Sequence, residues 1–141
     1  MFRNLLLSMP LALLIGTGTV QATPWPLEII DHLDETKIVI FINESDIEAA
    51  PKWNPDDGAP VFGLKDVLQS VKQWKQKNDC SDEDRIEKIE LKPIAHHEKQ
   101  GRWYYLVQLK NVEKSAHAHR FLAILMNGKT TAAVMEPEAL K

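Results

Sequence analysis

The chain is 141 residues long, 44% hydrophobic, 26% charged and 7% aromatic, with 17 basic against 20 acidic side chains and a net charge of -3. That is the composition of one ordinary globular domain, which excludes a disordered or low-complexity chain. The charge gives no electrostatic reason to bind nucleic acid or an anionic membrane surface. The single cysteine excludes an intrachain disulfide and a cysteine-built zinc or iron–sulfur centre.

The first 22 residues read as a secretory signal. Arg3 supplies the basic end, residues 5–15 are apolar except for Ser8 and Pro10, and Val20-Gln21-Ala22 is a small-x-small cleavage site. Cleavage there leaves residues 23–141 as a single α+β domain beginning at Thr23, expected in the periplasm or outside the cell. No cysteine follows the apolar run, so no lipoprotein route is expected. No later stretch reaches the ~18 consecutive apolar residues of a membrane span. Cys80, in the polar run Asn78-Asp79-Cys80-Ser81-Asp82, reads as an incidental thiol, with an intermolecular disulfide as the alternative.

Residues 23–35 form a lead-in. Its prolines Pro24 and Pro26 exclude an early helix, while apolar positions 27, 29, 30 and 33 fit a short helical face. Residues 37–42 (KIVIFI) are β-branched and aromatic and predict a strand buried on both faces. Residues 51–60 hold three prolines, a glycine and two aspartates, an irregular connection within one domain. Leu64, Val67, Leu68, Val71 and Trp74 then recur at helical spacing and predict one amphipathic helix, broken at 78–84. From Arg85 the period changes to two. Strands are predicted over 89–94 at a sheet edge, then over 103–109, 120–126 and 130–135. Asn127-Gly128 predicts a two-residue hairpin turn, pairing Leu125 with Thr130, Ala123 with Ala132 and Phe121 with Val134.

This order predicts an α+β fold, one main amphipathic helix packed on a curved four- to five-stranded antiparallel sheet. The hairpin is apolar on both faces, and one helix covers only one. The second face should be covered by residues 25–33, by a second copy in a dimer, or by a partner.

The run Ser45-Asp46-Ile47-Glu48-Ala49-Ala50-Pro51-Lys52-Trp53-Asn54-Pro55, then Ala59-Pro60, leads into the helix. With Trp103-Tyr104-Tyr105-Leu106-Val107 and Leu125-Met126-Asn127-Gly128-Lys129-Thr130, it resembles PepSY-like small exported bacterial proteins, loosely cystatin-like in layout. The resemblance covers residues 36–136. It implies a helix-on-sheet core and a link to protease propeptides and inhibition, and it carries no catalytic signature and no functional residue that maps onto this chain.

His117 and His119 flank Ala118, and on a strand both point to one face, where two imidazoles can chelate zinc or copper. His96-His97 is the expected source of a third ligand. The acidic residues from Asp79 to Glu90 fail as a calcium loop, because Asp84 stands where the loop needs glycine. Asp56-Asp57-Gly58 is turn chemistry. Asn43-Glu44-Ser45 matches a glycosylation acceptor but reads as the polar end of the first strand. No G-x-S-x-G, H-E-x-x-H or P-loop occurs, so no catalytic residue is assigned. Trp74 is expected in the core. Trp53, among prolines and aspartates, is expected to pack the connection on the sheet and is the first candidate for a ligand or partner contact.

The favoured expectation is an exported non-catalytic binding module with a protein or peptide partner, modulating a protease or another envelope component, without a cofactor. The alternative is a zinc- or copper-binding protein or metal-dependent enzyme using His117 and His119.

Overall fold

A computed structural model describes residues 27–33, 36–78, 80, 84–111 and 119–137. The fold is α+β, with one main helix and two antiparallel sheets. In chain order these are β1 (Leu27–Leu33), β2 (Thr36–Ile42), the short helix α1 (Glu44–Ala49), the main helix α2 (Leu64–Lys77), β3 (Asp84–Pro93), β4 (Trp103–Asn111), β5 (His119–Leu125), β6 (Thr130–Ala132) and β7 (Val134–Pro137). Sheet A has the order β1-β2-β7 and sheet B the order β3-β4-β5-β6.

Residues 27–33 form a strand, not the short helix their spacing suggested. Positions 27, 29 and 33 satisfy period two as well as a helical face, and pairing with β2 decides between them: Ile29 lies opposite Ile40 and Asp31 opposite Ile38. In β2, Ile38, Val39, Ile40 and Ile42 are buried, but Phe41 is 42% exposed, so one position departs from the expected two-sided burial.

The hairpin register also differs from expectation by one residue. The loop is a turn from Leu125 to Gly128, with Gly128 N donating to Leu125 O at 2.8 Å and Leu125 N to Lys129 O at 2.9 Å. Gly128 has φ +89°, so the loop has three residues and ends in a bulge. The pairs become Ile124 with Thr130, Ala123 with Thr131 and Leu122 with Ala132. After Ala133 the chain leaves sheet B, and β7 pairs with β2, Met135 opposite Ile38 and Val134 opposite Val39.

The second face of sheet B is therefore covered from within the chain. Tyr104, Leu106, Phe121, Ala123 and Leu125 share a core with Ile29, Ile38, Ile40 and Ile42 of sheet A. Of the expected cover 25–33, Ile29 contributes and Trp25 lies outside the described residues; among the described side chains β2 supplies Ile38, Ile40 and Ile42. Across sheet B, Val67 and Val71 of α2 form the other core with Tyr105, Val107, Leu109, Leu122 and Ile124. No helix among the described residues is long and apolar enough to cross a membrane.

Candidate functional site: a furrow between the main helix and an edge strand

Helix α2 starts where Gly63 N donates to Asp66 Oδ2 at 2.9 Å, and its end is closed by Asn78 Nδ2 donating to Trp74 O at 2.9 Å. A helix is about 10 Å across and strands are ~4.8 Å apart, so one helix covers about two strands of a sheet. Val67 and Val71 sit over β4 and β5. The helix-side face of β3, one of the two edge strands of sheet B, is left partly bare.

The expected apolar stripe of α2 is consequently only half buried. Val67 and Val71 are 0% and 2% exposed, whereas Leu64 and Leu68 are 59% and 45% exposed. The five positions span an arc of about 120° at 100° per residue, wider than the contact with β4 and β5. Ser70, Gln73, Trp74 and Lys77 flank the Gly128 turn on one side of α2. Leu68, Lys72 and Lys75 face β3 on the other. There, a furrow of about 440 Å³ runs between α2 and the start of β3, floored by Leu68, Val71 and Ile86.

Fixed polar contacts frame its far end. Lys75 Nζ donates to Asp84 O at 2.7 Å. Asp84 and Asn111, both buried, face each other across the β3–β4 ladder, and Asn111 Nδ2 donates to Asp84 Oδ1 at 2.8 Å. The half-buried Cys80 lies in the wall, its N bonded to Lys75 O and its Sγ 3.0 Å from Arg120 Nη1. The cysteine is thus a wall residue of the furrow.

Trp53 occupies a different place. Its Nε1 donates to Gly58 O at 3.0 Å, its N donates to Gly101 O at 2.9 Å, and its ring meets Trp103 edge-on at 5.2 Å. It pins the proline-rich connection to the turn before β4, as expected, and also lines a hollow of about 290 Å³ with Pro51, Pro60, Phe62 and Met126. Gly101 makes this possible: its φ is +67°, and a Cβ there would lie 3.1 Å from Trp53 O. With the indole N–H engaged, Trp53 offers a ligand only its ring surface.

Of the histidine pair, His117 lies outside the described residues. His119 Nδ1 is 3.4 Å from Glu87 Oε2 and 3.2 Å from Gln108 Nε2. His97 Nδ1 lies 3.0 Å from Gln100 Oε1, and its Nε2 3.5 Å from Glu44 Oε1. It follows Pro93, which pairs with Trp103, whereas His119 pairs with Lys110. At ~3.3 Å per residue along β4 these ends are more than about 20 Å apart, so His96-His97 does not supply the expected third ligand. Among the described residues no group of three His, Cys, Asp or Glu side chains converges as a metal site. Asp56 and Asp57 lie in an exposed 3-10 turn.

Sequence reasoning placed Leu68 only in the apolar stripe of the helix and did not single out Ile86, whose place on the helix side depends on a bulge that leaves no local sign. Ile86 and Ile89 are three apart in a strand and should face opposite ways, but both lie on the helix side because a bulge intervenes between Ile86 and Lys88. No protein-family model, curated protein or solved structure matches the chain.

Proposed function

We propose that this chain is an exported, non-catalytic binding module of PepSY-like layout whose α2–β3 furrow holds a segment of a protein or peptide partner. The observation that carries the reading is the solvent-facing apolar pair Leu68 and Ile86, 45% and 36% exposed, beside the fully buried Val71. Covering the exposed remainder of these two side chains contributes about 0.5–1.4 kcal/mol each, so the furrow favours an apolar occupant. Its polar wall is committed to internal bonds among Lys75, Asp84 and Asn111, which suits a rigid seat more than proton transfer. Export is supported by the basic, apolar and small-x-small order of residues 1–22.

The test compares the wild-type mature chain with a Leu68→Asp/Ile86→Asp variant in pull-downs from envelope extracts, followed by titration of each retained protein. A partner whose affinity falls at least about tenfold in the variant is the expected result. Equal retention of every protein by both chains overturns the proposal.

A further inference from the structure

The side of α2 turned away from the furrow holds a second, smaller hollow of about 260 Å³, between the second half of the helix and the β5–β6 turn. Ser70 lines it and is only 9% exposed, so its side chain is nine-tenths buried. Among the described residues its hydroxyl has no hydrogen-bond partner, and the Gln73 amide and the Trp74 indole N–H, which line the same hollow, have none either. A buried polar group left without a partner costs about 1–3 kcal/mol, which a molecule able to bond it recovers. This hollow is separate from the furrow, and its reading stands whether or not the furrow holds a partner.

Gly128 keeps the Ser70 hydroxyl open. A Cβ at position 128 would stand 3.6 Å from Ser70 Oγ and cover it. Thr130 Oγ1 donates to Gly128 O at 3.1 Å and fixes the turn on that side. Pockets that bury a drug-sized ligand measure about 300–1,000 Å³, so this one is sized for a single small ring.

The chemistry of that ring follows by elimination. An apolar ligand would leave the Ser70 hydroxyl and the Gln73 amide without partners. An anion would meet the C-terminal end of α2, where the helix dipole is negative. Both lysines at the hollow are otherwise engaged: Lys129 Nζ lies 2.9 Å from Asp46 Oδ2, and Lys77 sits in the last turn, where its charge answers the dipole. A neutral ring carrying hydroxyls satisfies every group, its C–H face against the Trp74 indole and its hydroxyls exchanging donor and acceptor roles with Ser70 and Gln73. We infer that the hollow is a sugar-binding site for one neutral pyranose unit, held by Ser70, Gln73 and Trp74.

The probes are free glucose, galactose, mannose and N-acetylglucosamine, each titrated into the isotope-labelled chain while NMR follows the Trp74 indole N–H. The chain has four tryptophans, so that resonance is identified by its loss in Trp74→Phe. At least one sugar should shift it saturably, with a Kd of about 10 mM or tighter. Ser70→Ala and Gln73→Ala should each weaken the binding about three- to tenfold. Alanine suits a helix interior, and thermal melts verify that both variants are folded. No saturable shift with any of the four sugars overturns the inference, as does a shift that survives both alanine variants unchanged. Inorganic phosphate that binds there more tightly than every sugar, and is lost in Lys77→Gln, also overturns it, since the hollow is then an anion site.

Discussion

Lys92 of β3 donates a hydrogen bond from Nζ to Asp31 Oδ2 of β1, so one ion pair ties sheet B to sheet A. Burial would push the Asp31 carboxyl up, but the bonds from Lys92 and the His32 backbone outweigh it and hold it below the ordinary 3.8. A carboxylate whose folded pKa is depressed contributes stability that is complete above the unfolded pKa and is lost as pH falls through the folded one. Asp31→Asn should therefore flatten the acid limb of the stability curve below about pH 5 and cost no more than about 1 kcal/mol at pH 7, as expected of a partly exposed pair. Urea titrations across pH 2.5–7 check both.

Alkaline conditions test both faces of sheet B, since Tyr104 and Tyr105 lie in different cores. Burial, with Asp31 and Glu90 nearby, pushes the Tyr104 hydroxyl up to about 12. Burial and Asp66 raise Tyr105, whose hydroxyl donates to Phe62 O at 2.6 Å. These are the chain's two tyrosines. The part of the absorbance change at about 295 nm that belongs to Tyr104 should be missing near the ordinary tyrosine pKa of about 10 while the protein is folded. Stability from a raised tyrosine is complete below the unfolded pKa, so it should decline by up to about 1.4 kcal/mol per pH unit for each tyrosine between the unfolded and folded values. A normal absorbance rise near pH 10 in folded protein contradicts the burial described.

The β5–β6 turn depends on Gly128. Its φ of +89° disfavours any side chain, and a Cβ there would stand 3.3 Å from Phe62 Cε2. Gly128→Ala should cost about 1–2 kcal/mol in thermal or urea unfolding. An unchanged melting temperature would show that the turn adopts another form.

Asn111 and Asp84 form the buried polar rung at the head of the furrow. Asn111→Ala leaves the Asp84 carboxylate one donor short and should destabilise by about 2–3 kcal/mol. Replacing both residues with apolar ones of similar size should cost less than the single change, which a double-mutant cycle reads directly.

Exposed and buried members of the α2 stripe should separate cleanly. Leu68→Ser should change stability by no more than about 0.5 kcal/mol, whereas Val71→Ala should cost about 2 kcal/mol through lost burial and the cavity left behind. If Leu68→Ser is as damaging as Val71→Ala, Leu68 is structural and the furrow is narrower than described.

The helix and the strands of sheet B were legible because their periods are local and strong. Leu64 through Trp74 repeats at helical spacing, and Trp103 through Leu109 alternates apolar faces that both find a core. Residues 27–33 were ambiguous because positions 27, 29 and 33 serve either period, and only the β2 ladder chooses between them. The turn register was misjudged because Asn-Gly suits two-residue and three-residue loops alike. The second sheet left no local sign, since Ile38 meets Met135 across most of the chain. Trp53 could be placed from its proline-rich surroundings. The furrow could not, because it arises from how far one helix reaches across four strands.

The placement of β7 next to β2 governs when this protein can become whole. Lys37 pairs with Glu136 and Thr36 with Pro137, contacts separated by about a hundred residues, the long-range kind that slows folding. A chain emerging N-terminus first, from a ribosome or a translocation pore, holds β1 and β2 for most of its synthesis as a lone hairpin, and isolated hairpins are marginal in water. Ile38, Ile40 and Ile42 lie buried against sheet B in the finished fold, and until β4 and β5 arrive they have nothing to pack on. From the emergence of Ile42 to that of β4, about 60 residues later, these isoleucines have no partner sheet to cover them, and C-terminal truncation should be more damaging than the brevity of β7 implies.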